Sequence, residues 1–302
     1  MFKKFSLVAV LLALVSFMPV HAQTGSAPKK NVIYETPTFK TLSQLYWALM
    51  KFDSSKDIYI DNFLLINECD LYRDYVQNEF EWKGIREGAR EFLQDNRKSF
   101  PTHFEFLQPV RLAEYDLESE AFDVWQPYKI KGVRRFEVLA EDFYEKTCGV
   151  GFAKEIIGYP KGLYIELNRP FSADKIKVKP EVAEAYIQML EGINRDAGIV
   201  IRNKEDLYES RAAYLVMKLR VFSFKEDVDL QDHRLSKVLA VLEGYEIYGD
   251  RDREMLLFSE DFSRKKKRSA MEMEMKRKYQ ERLKKQLEAE RKAAQEAAAE
   301  TP

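Results

Sequence analysis

Two hydrophobic periods divide this chain, and the change between them at Phe100-Pro101 limits its fold more than any other feature. Upstream, apolar residues recur at three- and four-residue spacing. Phe39, Leu42, Tyr46, Leu49 and Phe52 make one stripe, and Trp82, Ile85, Ala89, Phe92 and Leu93 another, as in helices with one buried face. Thr36 and Pro37 read as the N-cap and first residue of the first helix. Between the stripes, Asp57 opens a stretch with Ile60, Phe63 and Leu64 that breaks near Asn67 to Asp70, before Leu71, Tyr72 and Tyr75. Downstream the period becomes two. Phe104 and Phe106, Phe122 and Val124, Phe136 and Val138, and Leu163, Ile165 and Leu167 each alternate with polar neighbours, the pattern of half-buried strands. Both faces of Tyr214 to Phe224 are largely apolar, which predicts a central strand covered on both sides. Val238 to Tyr248 and Met255 to Phe258 predict a hairpin around Gly249-Asp250. Pro180 starts a single inserted helix with Ala183, Tyr186, Ile187 and Leu190 on its buried face.

Helices followed by strands give an α+β class. The expected architecture is an N-terminal helical segment, a mainly antiparallel sheet with one inserted helix, and a long charged C-terminal helix. The boundaries read as a signal peptide over 1–22, a flexible leader over 23–35, a body over 36–259 and a tail over 260–302. Within the body, 36–100 is helical and 101–259 rich in strands.

The first residues have the form of an export signal. Lys3 and Lys4 precede an apolar run from Leu7 to Met18, Pro19 ends it, and Val20-His21-Ala22 places cleavage between Ala22 and Gln23. The run is about a dozen residues, short of the roughly 18 that a membrane-spanning helix needs. The mature chain is therefore expected to be periplasmic or secreted, with no transmembrane helix. In an oxidising compartment the two cysteines, Cys69 and Cys148, form either a disulfide or two separately buried thiols. A bridge would close a loop of about 80 residues, worth on the order of 4.5 kcal/mol in the chain-entropy picture.

The net charge of −1 hides a division. Residues 263–302 hold thirteen Lys and Arg against seven Asp and Glu, so the body is acidic. An acidic body argues against nucleic acid as its partner. Arg264, Lys265, Lys266, Lys267 and Arg268 are five consecutive basic residues, and Met271, Met275, Tyr279, Leu283 and Leu287 recur every four. That repeat drifts around a helix, so the tail reads as a solvated helix, with a weak coiled coil or a basic arm for an anionic envelope surface or an envelope protein as alternatives.

Motifs for chemistry are sparse. His103 and His233, the two histidines after the signal, are far apart, and no HExxH, G-x-S-x-G, P-loop or G-x-G-x-x-G occurs. No metal, cofactor or catalytic group is assigned. Glu114, Asp116, Glu118, Glu120 and Asp123 crowd one stretch, and a pair among Glu114, Asp116 and Glu120 is the arrangement that a glycoside hydrolase would need. The competing reading is a solvated loop, as for Glu226, Asp227, Asp229 and Asp232. Tyr72, Tyr75, Phe80 and Trp82 are either core or a sugar-stacking platform.

Ile66-Asn67-Glu68-Cys69, Phe80-Glu81-Trp82 and Glu114-Tyr115-Asp116 give the chain, from Thr38 to Phe258, a resemblance to uncharacterised domain families on exported bacterial proteins. That resemblance implies no activity. The leading expectation is an exported, non-catalytic envelope protein that binds or assembles through its body and basic tail. The alternative is an exported carboxylate-dependent hydrolase of envelope polysaccharide.

Overall fold

The computed structural model describes residues 32–141, 156, 159–230, 233–262, 277 and 281. The expected export signal, Cys148 and nearly all of the expected tail lie outside the described residues. The described residues between Ile33 and Phe262 form one compact unit.

Among the described residues, four helices come first. Helix α1 (Phe39–Ala48) is capped by Thr38: the Thr38 hydroxyl accepts the Thr41 N–H at 3.2 Å, and the Thr41 hydroxyl accepts the Thr38 N–H at 2.9 Å. This reciprocal pair starts the helix two residues later than Thr36-Pro37 implies. Helices α2 (Asp57–Asn67) and α3 (Cys69–Tyr75) are parted at Glu68, inside the expected break. Helix α4 (Glu79–Asn96) begins at Asn78, whose side-chain oxygen accepts the N–H of Phe80 and Glu81. Glu79 and Glu81 add favourable charge in its first turn.

The strands are β1 (His103–Asp116), β2 (Ala121–Val124), β3 (Arg135–Leu139), β4 (Gly162–Leu167), β5 (Lys175–Lys177), β6 (Ala212–Leu230), β7 (His233–Tyr248) and β8 (Leu256–Asp261). They form one sheet in the order β3-β4-β7-β6-β1-β2-β5, curled into a half-barrel. Here the mainly antiparallel expectation is corrected. The sheet is mixed, because β4 runs parallel to β7, with Ile165 opposite Val238. Alternation reports which face of a strand is buried and carries no record of its neighbour's direction. Strand β7 holds two partners on one edge, β4 along residues 235–240 and β8 along 244–248. The single inserted helix is also corrected: α5 (Pro180–Asp196) starts at Pro180 as read, but α6 (Lys204–Ser210) follows it. The long C-terminal helix is not shown. Strand β8 extends to Asp261 and Phe262 is buried in the core, inside the stretch assigned to the tail, and beyond it only Arg277 and Glu281 are described.

The main core lies on one face of the sheet. Leu215, Met217, Leu219 and Val221 of β6 point into it, joined by Leu42, Leu45 and Tyr46 of α1 and Ala183, Tyr186 and Leu190 of α5. The opposite face of β6 is not covered as expected. Val216 is buried there, but Lys218 and Arg220 make ion pairs with Glu246 (2.7 Å) and Glu243 (3.4 Å), and Phe222 is exposed. A second core belongs to the helices: Ile60, Phe63, Leu64, Trp82, Ala89 and Leu93 close on Trp47 of α1. Helix α1 thus serves both cores. Arg86 fastens α4 to α2 through Asp61 (2.5 Å) and Asp57 (3.0 Å), and Trp82 donates its indole N–H to Asp61.

Candidate functional site

The densest buried chemistry sits where α1 meets the sheet. Met50 takes a left-handed backbone conformation (φ 56°), and the Lys51 N–H returns to the Tyr46 carbonyl. The Lys51 side chain is only 4% exposed. Its ammonium pairs with Asp227 of β6, donates to the Ser236 hydroxyl of β7 at 2.6 Å, and lies 4.7–5.3 Å from the rings of Tyr46, Phe52 and Phe224. Burial pushes its pKa down to about 8 against the pull of Asp227. Lysine, serine and aspartate are also the parts of a nucleophilic centre. Here the Ser236 hydroxyl is fully buried and engaged with Asp227 at 2.9 Å, so no face of it meets a substrate. The group is a clamp between α1 and the β6–β7 hairpin. Sequence reading placed Asp227 in a solvated loop; it lies in a strand, and its partners are 176 and 9 residues away.

The carboxylates singled out from sequence run from the end of β1 (Glu114, Asp116) through the exposed turn (Glu118, Glu120) into β2 (Asp123). Asp116 accepts the Ser119 hydroxyl at 2.6 Å, the Lys175 ammonium at 3.1 Å and the N–H groups of Glu118 and Ser119. Together these hold its carboxyl well below the usual range. It is a fixed anion that shapes a turn. Glu114 pairs with Lys204 of α6 at 3.0 Å, and Glu120 is exposed with a left-handed backbone (φ 47°). These positions supply no enclosed pair of carboxyl groups, one of them a proton donor. Nor do the four aromatics form one platform. Trp82 is core and meets Tyr72 edge to face at 5.4 Å, whereas Phe80 stands 91% exposed.

The feature that sequence reading missed is an apolar groove of about 300 Å³ in the helical lobe. Phe63 and Leu64 of α2 form its floor, Leu71 of α3 one wall, and Ile85, Gly88 and Phe92 of α4 the other. Among the described residues that line it, Glu68 at the α2–α3 break is the one ionisable residue. Arg86 and Arg90 turn toward Asp57 and Asp61 on α2, and the groove lies along the other flank of α4, beside the short α3. The visible signal was Gly88 inside an otherwise apolar stripe. Leu71 (40%) and Phe92 (47%) remain exposed at the rim.

Among the described residues, no helix is long and apolar enough to cross a membrane. No group of three or more His, Cys, Asp or Glu there is placed to hold a metal ion. Residues 55–189 match a family described as a domain of unknown function (DUF4852). The expected likeness to an uncharacterised family is therefore found, over a shorter stretch than Thr38 to Phe258. It takes in α2 to β5 and most of α5 and stops before β6. No curated protein matches the chain. No solved structure matches it either.

Proposed function

We propose that this is an exported envelope protein that works by binding or assembly rather than catalysis, through its helical lobe and its basic tail. The observation that carries the reading is the groove with its exposed apolar rim, since apolar surface kept in water is the mark of a docking site. The acidic body and the basic stretch from Arg264 to Arg268 add an electrostatic component suited to an anionic envelope surface or envelope protein. Removal of the first 22 residues would leave Cys69, at the start of α3, to pair with Cys148 and tie the lobe to the segment after β3. Unfolded mature protein should then react with a thiol reagent only after reduction; two reactive thiols beforehand would refute the bridge.

Cell fractionation tests the reading. Full-length protein should recover with the envelope, and a chain lacking residues 263–302 should keep its circular dichroism yet move to the soluble exported fraction. Identical fractionation of the two, or retention of both in the cytoplasm, would overturn it.

A further inference from the structure

We infer that the groove of the helical lobe is the docking site of this chain's own C-terminal stretch, residues 264–279. The inference rests on reading the groove as a docking surface, and it holds or fails independently of envelope association.

Length is the first argument. From Ile85 to Phe92 the groove wall runs seven residues along α4, about 10 Å at 1.5 Å per residue. Met271, Met275 and Tyr279 are spaced by four; in helical backbone they span about 12 Å and stay within roughly 80° of one face. Arg277 and Glu281 are helical, 71% and 66% exposed, and by spacing lie away from that face. Methionine's unbranched thioether suits an irregular groove.

Charge is the second. Glu68 lines the groove. Glu81, Glu91 and Asp95 are exposed and lie three or four residues from Ile85, Gly88 and Phe92, hence beside them on α4. The basic residues Arg86 and Arg90 are committed to Asp57 and Asp61. The open flank is thus acidic, and the stretch that would meet it carries Arg264 to Arg268 and Lys276, Arg277 and Lys278.

Reach is the third. Phe92 packs on Phe100 at 6.2 Å, and the Val221 N–H donates to the Thr102 carbonyl. Val221 pairs with Ala240, four residues along β7 from Gly244, which pairs with Asp261. Four residues of strand are about 13 Å. The nine residues from Phe262 to Met271 extend to about 30 Å, enough to return to the lobe.

Hydrogen exchange on the purified mature chain, free of envelope, tests this, with Gly88→Arg as the probe. A Cβ at Gly88 meets nothing within 4 Å, so the substitution begins without a clash at the backbone, and it improves the helix while setting a like charge against the basic stretch. In the natural chain, amides of residues 271–279 should exchange at least about tenfold slower than in the isolated peptide. Gly88→Arg should return them to the peptide rate with the sheet's protection unchanged, and Gly88→Ala should leave them protected. Peptide-rate exchange in the natural chain, or equal protection in Gly88→Arg, would overturn the inference. So would protection that disappears on dilution, which would assign the groove to a second copy. Because no envelope is present, none of these results bears on the fractionation experiment.

Discussion

At the scale of single residues, Lys51 explains most about why the helices and the sheet form one body. Its charge is sealed against Asp227 and three aromatic rings. Without Lys51, Asp227 keeps the more distant Arg234 at 3.5 Å and the Ser236 hydroxyl, and without Asp227 the ammonium faces the rings and Arg234. Loss of either member therefore leaves a poorly compensated charge. Lys51→Met should lower unfolding free energy at neutral pH by about 3 kcal/mol, and adding Asp227→Leu should recover most of that loss. Urea denaturation of the four-member cycle measures both; additive losses would show that the two groups act separately. The pH dependence has a definite sign. The folded pKa, about 8, lies below the ordinary 10.5, so between these values the unfolded chain binds the extra proton. Stability from this group therefore rises with pH across that window, by up to about 3 kcal/mol. Buried tyrosines such as Tyr186 are raised in pKa and act in the opposite direction above pH 10. The difference between the natural chain and Lys51→Met isolates the lysine. None of this was legible beforehand, because a lysine beside Phe52 looks like the polar edge of an amphipathic stripe, and only tertiary structure brings Asp227 to it.

At the scale of elements, what could be read was local and what could not was pairing. The stripe of α4, the start of α5 at Pro180 and the β7–β8 hairpin follow from spacing and turn chemistry within a few residues. The parallel contact of β4 with β7 joins residues some seventy positions apart, and α6 has too few residues for a clear period. Gly162 marks the close approach of β3 to β4. A Cβ there would lie 2.1 Å from the Val138 carbonyl oxygen, and its own carbonyl accepts the buried Tyr46 hydroxyl at 3.1 Å. Gly162→Ala must push β3 from β4 and disturb the α1 contact, with an expected loss above about 2 kcal/mol. Gly84→Ala, where a Cβ meets nothing, should gain roughly 0.8–1 kcal/mol by helix propensity. Thermal melts of the two variants moving in the same direction would contradict this account.

At the scale of the molecule, the matched stretch and the folding unit do not coincide. Residues 55–189 include the helical lobe, β1 to β5 and most of α5, but β1 and β4 find their long partners in β6 and β7, which lie beyond it. The main core then loses Leu215, Met217, Leu219, Val238, Ala240 and Leu242, and the α1 residues Leu42, Leu45 and Tyr46 are missing from the other side. Trp47, the α1 residue in the lobe's core, also goes. Apart from Ala240, each loss removes a large buried side chain worth roughly 1.5–3 kcal/mol, and a domain's whole stability is only about 5–15 kcal/mol. The fragment 55–189 should therefore remain without native structure, showing no cooperative melt and collapsed amide dispersion in its NMR spectrum. A chain of residues 33–262, which keeps both cores and the Lys51 clamp, should melt cooperatively. If the shorter fragment folds, the nine-residue edge of β1 and the six-residue edge of β4 are satisfied without β6 and β7, and the central hairpin is an addition to an already closed core rather than its keystone.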